Sequence, residues 1–273
     1  MEIRELQEHA RNVRIGIIRE VSNAKSGHPG GALSAADILT ALYFEVMDIT
    51  PENAQSIDRD RFVLSKGHAS PGLYAVLAEK GIIPKEELLT FRKLNSRLQG
   101  HPCLTIPGVD MNTGSLGQGL SAAVGMALAE KLNKSSHRIY CMIGDGESEE
   151  GQIWEAAMSA PHYNCDNLCV ILDNNHLQID GNVQDVIGPE PFDTKFEAFG
   201  WNVLKINGHD YEEILAAFEK AAECKGKPTI IIAETVKGKG VSYMENQAGW
   251  HGKAPDAELT KVALKDLGVE VDG

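Results

Sequence analysis

The sequence predicts an α/β fold: a doubly wound parallel sheet with helices on both faces. Short apolar, β-rich runs recur at 61–65, 139–143, 168–172, 202–206 and 229–234, each closed by a polar or glycine-containing turn as strands are. Stretches of helical period alternate with them, at 69–80, 118–133, 149–162, 192–199 and 210–223. That succession builds a parallel sheet whose crossover helices cover it. With 273 residues, 42% of them hydrophobic, the chain has enough core for one substantial domain over 1–273.

Residues 3–24 carry the charge and period of an amphipathic helix, not of a signal peptide. A second helix is expected at 34–46, with Ser34 as its N-cap. The strand RFVLS runs straight into Lys66-Gly67-His68, and the apolar segment 69–80 follows as a helix. The helix at 118–133 has small residues on one face, suited to close packing on a sheet or a partner helix. HRIYCMIG is a buried strand that stops at Gly144-Asp145-Gly146, and a helix then begins in Glu149–Gly151. LCVILD is the next strand and ends at Asp173-Asn174-Asn175; alternation along it turns Asn174 away from Asn175. The polar stretch 178–191 is expected to be a long active-site loop, and ALKDLGVEVDG a helical ending. There is no internal repeat and no low-complexity segment.

Asp145 and Asn175 would thus be delivered by neighbouring parallel strands to one sheet edge, where α/β proteins bind ligands. A carboxylate and an amide oxygen suit a hard cation such as Mg²⁺, which fills its octahedron with phosphate oxygens and water. Gly144 and Gly146 allow the backbone close to a phosphate, and the following helix offers its positive end. These residues read as a site for a metal-bridged diphosphate. Glu147 and Glu149 read as charges that complement the start of that helix.

Composition excludes several classes. A formal charge of −13 argues against a nucleic-acid surface. No apolar run reaches the ~18 residues of a membrane span, and five cysteines without framework spacing fit reduced thiols in the cytoplasm. Cys165 and Cys169 have no second Cys/His pair and read as small apolar fillers, not a zinc site. GSLGQG has the wrong glycine spacing for a dinucleotide loop. Of the histidines, His9, His137, His162 and His209 read as structural or exposed. His28, His68, His101 and His251 each stand beside glycine or proline where a strand or helix ends, which is where polar chemistry collects.

GDG at 144–146 with NN at 174–175 resembles the thiamine diphosphate fingerprint. SGHPGG at 26–31, SKGHASPGLYA at 65–75, GHP at 100–102, GSLGQG at 114–119 and WHGKAP at 250–255 narrow the resemblance to the transketolase family, from roughly residue 10 onward. The resemblance implies a thiamine diphosphate-binding fold, here the diphosphate domain. It implies thiamine diphosphate and Mg²⁺ as cofactors, with Ca²⁺ or Mn²⁺ able to substitute. The metal shell carries over as Asp145, Asn175 and the Leu177 carbonyl. His28 and His101 would contact sugar hydroxyls near the reacting carbons, and His68 and His251 the diphosphate end, with His251 also reaching substrate. Gly114 belongs to the loop under the thiazolium ring, Leu116 would pack against that ring, and Ile179 would help. Lys237 or Lys239 would offset the diphosphate charge. Glu150 aligns with a glutamate of a dimer-interface carboxylate network behind the cofactor. Ser115, where proline is common, and VKGKG at 236–240 depart from full-length transketolases.

The family's pyrimidine-binding and C-terminal domains have no counterpart in these residues. The resemblance therefore implies an N-terminal subunit of a split transketolase, acting with a second polypeptide, expected as an α₂β₂ assembly, on sugar phosphates. The reaction expected is reversible transfer of a two-carbon ketol unit. A deoxyxylulose-phosphate synthase-like or specialised sugar-catabolic ketol transferase, and a non-catalytic solitary binding domain, stand as alternatives; SGHPGG and GHP favour a ketose donor over pyruvate.

Overall fold

A computed structural model describes residues 1–270. The strands in chain order are β1 (Arg61–Leu64), β2 (Ile139–Gly144), β3 (Leu168–Asn174), the two-residue strands β4 (Leu177–Gln178) and β5 (Gly181–Asn182), β6 (Asn202–Asn207) and β7 (Thr229–Glu234). The helices are α1 (Ile3–Ala24), α2 (Pro29–Ala41), α3 (Ser70–Glu79), α4 (Gln118–Leu132), α5 (Gly151–His162), the single turn α6 (Val183–Val186), α7 (Phe192–Phe199), α8 (Tyr211–Glu223) and α9 (Ala257–Asp266). Five strands make one parallel sheet in the order β1-β2-β3-β7-β6, while β4 and β5 pair as a separate antiparallel hairpin.

Both faces of the sheet are buried, so its central strands are apolar throughout. Strand alternation divides them cleanly. Phe62, Tyr140, Met142, Ile171 and Ile231 point into a core shared with α1, α2, α3 and α8. Val63, Cys141, Ile143, Val170 and Ile230 point into a second core shared with α4, α5 and α7. Cys165 and Cys169 are fully buried fillers on opposite faces. Helix α1 is held through Leu6, Ala10, Val13, Ile17 and Val21, one buried stripe at helical spacing.

The winding also places the crevice. The path β1–β2–β3–β6 advances across the sheet, and the return from β6 to β7 reverses it. Right-handed crossovers therefore put α5 and α7 on one face and α8 on the other. The chain leaving β1 and β7 turns towards the α1 face, and the chain leaving β2 and β3 towards the α5 face. Neighbouring strands that part in this way open a crevice at their carboxyl ends.

Two expectations are corrected here. The second helix starts at Pro29, not Ser34, because proline's fixed φ suits the first turn and its missing N–H costs nothing there. Ser34 lies inside α2, fully buried, and is no cap; the tail of the helix, Leu42–Val46, widens into a π-turn. The stretch 178–191 is not one long loop. It contains the β4–β5 hairpin and α6, the latter capped by the Asn182 side chain. Among the described residues, no helix is long and apolar enough to cross a membrane.

Candidate functional site

A cleft of about 270 Å³ opens at the carboxyl edge of the sheet. Its floor is a buried ion pair. Lys66, just past β1, meets Asp173, at the end of β3, with 2% and 0% of the side chains exposed. Asp173 also accepts from Ser34 Oγ at 2.6 Å, from Thr235 Oγ1 and from Asn175 Nδ2 at 3.3 Å. Lys66 also donates to the Gly31 carbonyl at 2.9 Å. Burial alone would raise the Asp173 carboxyl, but Lys66 and the hydroxyl donors hold it below its ordinary value.

The register Gly144↔Asp173 sets the end of β2 beside the end of β3. Asp145 follows Gly144 and stands over the cleft, accepting from Gly146 N at 2.8 Å and His176 N at 2.5 Å. Asn175 Oδ1 accepts from Leu177 N at 3.2 Å. Asn174 faces the other way and donates to Glu234 at 2.8 Å. The Leu177 carbonyl accepts from Lys237 Nζ at 2.8 Å. Asp145, Asn175 and Leu177 thus line one cleft with a carboxylate, an amide oxygen and a carbonyl, an all-oxygen set of the kind Mg²⁺ takes. Burial, reinforced by the Asp173 charge, raises the Asp145 carboxyl, and burial lowers the Lys237 ammonium. The Asp145 carboxylate therefore gains from a cation placed beside it, and the Lys237 ammonium from an anion.

Lys66 and Lys237, each 2% exposed, face the cleft from two sides. A Cβ built on Gly31 would stand 3.4 Å from Lys66 Nζ, and one on Gly146 would lie 2.9 Å from Gln178 Cβ. The glycines keep the walls back where a phosphate would have to approach. Leu116 and Ile179 give the opposite wall an apolar character. Ile179 is 64% exposed, a large apolar side chain open at the mouth.

Three histidines form a cluster at one end. His68 stacks on His251 with centroids 4.9 Å apart, and His28 meets both edge-on at 5.4 and 5.5 Å. Lys237 donates to His251 Nδ1 at 2.9 Å, which leaves the proton of the neutral ring on Nε2. Burial first, then neighbouring cations, lowers His28 to about 4 and His251 to about 3, and drives His68 well down. All three rings are neutral near pH 7. His101 is exposed, its ring lying against Gly114.

Of the residues singled out from the sequence, His68, Gly114, Leu116, Gly144, Asp145, Gly146, Asn175, Leu177, Ile179, Lys237 and His251 line the cleft. His28 and His101 stand behind this lining, against His68 and Gly114. Glu150 is exposed at the N-cap of α5, outside the cleft and beside Gly117. Lys237 is the lysine of VKGKG that enters; Lys239 lies 3.7 Å from Glu245 instead.

Glu147 does stand in a short helical turn, Gly146–Glu149, but it is not a solvated charge there. It is 3% exposed, lines the cleft, and accepts from Ser65 Oγ at 2.5 Å, Gly117 N at 2.9 Å and Gly144 N at 3.0 Å. Sequence reasoning also passed over Lys66 and Asp173 as site residues. The signal for Lys66 was its place right after a strand at the edge that holds Asp145. Glu147 had no comparable signal, since a glutamate after a glycine turn is ordinarily solvated.

The family model described as the transketolase thiamine diphosphate-binding domain matches residues 6–272. The chain is 42% identical over 272 residues to one of the subunits of apulose-4-phosphate transketolase from Phocaeicola vulgatus, covering 100% of this chain and 97% of that protein. It is 46% identical over 264 residues to the SqwG subunit of 6-deoxy-6-sulfo-D-fructose transketolase from a Clostridium species, covering 96% of each. Among solved structures, transketolase from Campylobacter jejuni superposes with a TM-score of 0.92 at 40% identity, over 98% of this chain and 43% of that one. The chain therefore spans nearly the whole of the two subunits and about two fifths of the solved transketolase.

Proposed function

The chain belongs to the transketolase family through its thiamine diphosphate-binding domain, and from that premise we propose that it is the diphosphate- and Mg²⁺-holding subunit of a two-polypeptide transketolase. The reaction is reversible transfer of a two-carbon ketol unit from a ketose phosphate to an aldose phosphate. The observation that carries this reading is one cleft combining an all-oxygen donor set, two buried lysines and a cluster of neutral imidazoles. The two relatives matched along nearly their whole length are both named as subunits, which supports a partner chain. That partner would bring the pyrimidine-binding and C-terminal domains, in an α₂β₂ assembly working in the cytoplasm.

Asp145, Asn175 and the Leu177 carbonyl would hold Mg²⁺, and the same oxygen set admits Ca²⁺ or Mn²⁺. Lys237, Lys66 and His68 would face the diphosphate, with Gly144 and Gly146 letting it close to the backbone. Gly114, Leu116 and Ile179 would seat the ring, and Glu150 would support this wall from the partner side. When bound, thiamine diphosphate supplies the carbon centre at which a bond beside a carbonyl is broken and remade. The chain's own part is to orient the sugar, exclude water and move hydroxyl protons. His28, His101 and His251 are suited to that, because a neutral imidazole can both accept and donate near pH 7.

The sugar itself is a second question. Two full-length relatives are named for unusual sugars, which favours a specialised ketol transfer over the common pentose phosphates as the alternative. The test is ketol transfer from xylulose 5-phosphate to ribose 5-phosphate, with thiamine diphosphate and Mg²⁺, by this chain alone and mixed with a partner carrying the missing domains. Activity confined to the mixture and abolished by Asp145→Ala is the expected result. Silence there with activity on another ketose phosphate would select the specialised reading. Silence on every donor would leave a non-catalytic binding domain.

A further inference from the structure

We propose that His209 is a positioning residue for Lys237, acting with Asp37 through the backbone of Val236. The proposal rests on the reading of Lys237 as a contact of the cofactor's diphosphate. His209 stands in the turn between β6 and α8, with 13% of its side chain exposed. Its two ring nitrogens are both engaged. Nδ1 donates to Asp37 Oδ2 at 2.7 Å, and Nε2 accepts from Val236 N at 2.9 Å. An amide can only donate, so Nε2 must be bare and Nδ1 must carry the proton, which the Asp37 carboxylate receives. One neutral tautomer is fixed.

The base of this relay is rigid. Asp37, on α2, is clamped by Arg14 of α1 through both oxygens at 2.9 and 2.6 Å. Burial opposes the Asp37 charge, but Arg14 and His209 hold its carboxyl well below the ordinary range. The far end of the relay is the segment that leaves β7. Thr235 N donates to Asn174 O at 3.0 Å, Val236 N to His209, and Gly238 N to Gly30 O at 3.0 Å. The backbone of Lys237 is therefore tied on both sides. Its side chain then runs, buried, to the Leu177 carbonyl and His251 Nδ1. Lys237 makes no ion pair within 4 Å among the described residues. A long ammonium side chain buried without a carboxylate gains by swinging out to water; fixing its backbone removes part of that freedom. Of the three amide bonds just named, the one at Val236 ends on a side chain, which substitution can remove; Thr235 Oγ1 to Asp173 and Arg14 Nε to Lys239 O at 3.2 Å hold the segment further out.

The experiment is an NMR titration of the full chain with thiamine diphosphate and Mg²⁺, which reads affinities into the millimolar range, on four variants. His209→Leu is expected to weaken binding about three- to tenfold, the loss of one neutral hydrogen bond. His209→Gln, whose amide can donate at one end and accept at the other, is expected to restore most of it. Lys237→Met should cost more, roughly 30-fold. The double variant His209→Leu/Lys237→Met should bind no worse than Lys237→Met, because His209 acts only through that lysine. Amide exchange gives a reading independent of the ligand: the Val236 amide should lose protection in His209→Leu while the amides of 230–233 keep theirs. Additive losses in the double variant, or unchanged Val236 protection, would overturn the proposal. Wild-type affinity in Lys237→Met would overturn the diphosphate role beneath it, and the proposal with it.

Discussion

Lys66 and Asp173 meet at the bottom of the cleft almost wholly out of water, and the Asp173 carboxylate depends on Lys66 for its charge. Lys66→Met leaves a buried carboxylate without its cation, and a cost of about 3–5 kcal/mol in urea unfolding is expected. Adding Asp173→Asn should recover most of that loss; no recovery would mean that the pair does not carry the stability. The histidines act in the opposite sense. His28 and His251, lowered to about 4 and 3 by burial and neighbouring cations, stay neutral in the fold, while the unfolded chain protonates them below about 6.5. Between those values the unfolded state binds more protons, so stability rises with pH and is lost as pH falls from 6.5 towards 4. Thermal melts across that window should show the decline, and His28→Asn should make it shallower. An identical slope would remove His28 from the account.

Elements of the site are held together by contacts that a small change can test. Helix α4 lies so close to the end of β1 that a Cβ on Gly119 would stand 2.6 Å from Ser65 Cα, a backbone atom. Gly119→Ala must therefore push α4 off the sheet, at a cost of about 1–3 kcal/mol; a melt matching the parent would show that α4 yields freely. Glu147 ties three segments: the end of β1 through Ser65, the loop before α4 through Gly117, and the end of β2 through Gly144. All three partners donate, so an amide fits badly, with its NH₂ facing an N–H. Glu147→Gln is expected to weaken thiamine diphosphate binding by about tenfold, since the segments it ties carry Gly144 and Leu116, which are proposed to hold the cofactor. Calorimetry showing unchanged affinity would reduce Glu147 to a fold contact.

At the scale of the whole molecule, ligand and fold are linked. A cofactor that binds only the folded chain adds about 2.7 kcal/mol at 100 times its Kd, which for a domain of this size is a rise of roughly 5–10 °C in Tm. Thiamine diphosphate with Mg²⁺ should produce such a rise and Asp145→Ala should abolish it. A rise that survives Asp145→Ala would mean that the oxygen set described above is not what holds the cofactor.

The alternation of strands and helices, and with it the doubly wound sheet, was legible because period and turn chemistry are local properties of the chain. The convergence of Asp145 and Asn175 was legible too, since adjacent parallel strands end at one edge. Polar partners across long separations were not. Asp173 meets Lys66 across 107 residues and Ser34 across 139, and nothing local distinguishes a buried lysine or serine from a solvated one. The start of α2 at Pro29 was missed because a serine with a cap's chemistry stands five residues on, in a position that only packing against β3 buries. The sequence by itself determined the layers, the edge that bears the chemistry and the family to which the chain belongs, all of them set by short-range pattern. Only the tertiary structure decided which charges pair in the dark beneath the cleft, which lysine of VKGKG turns inward, and that His209 closes a relay onto it, because burial and hydrogen-bond satisfaction depend on what distant segments bring.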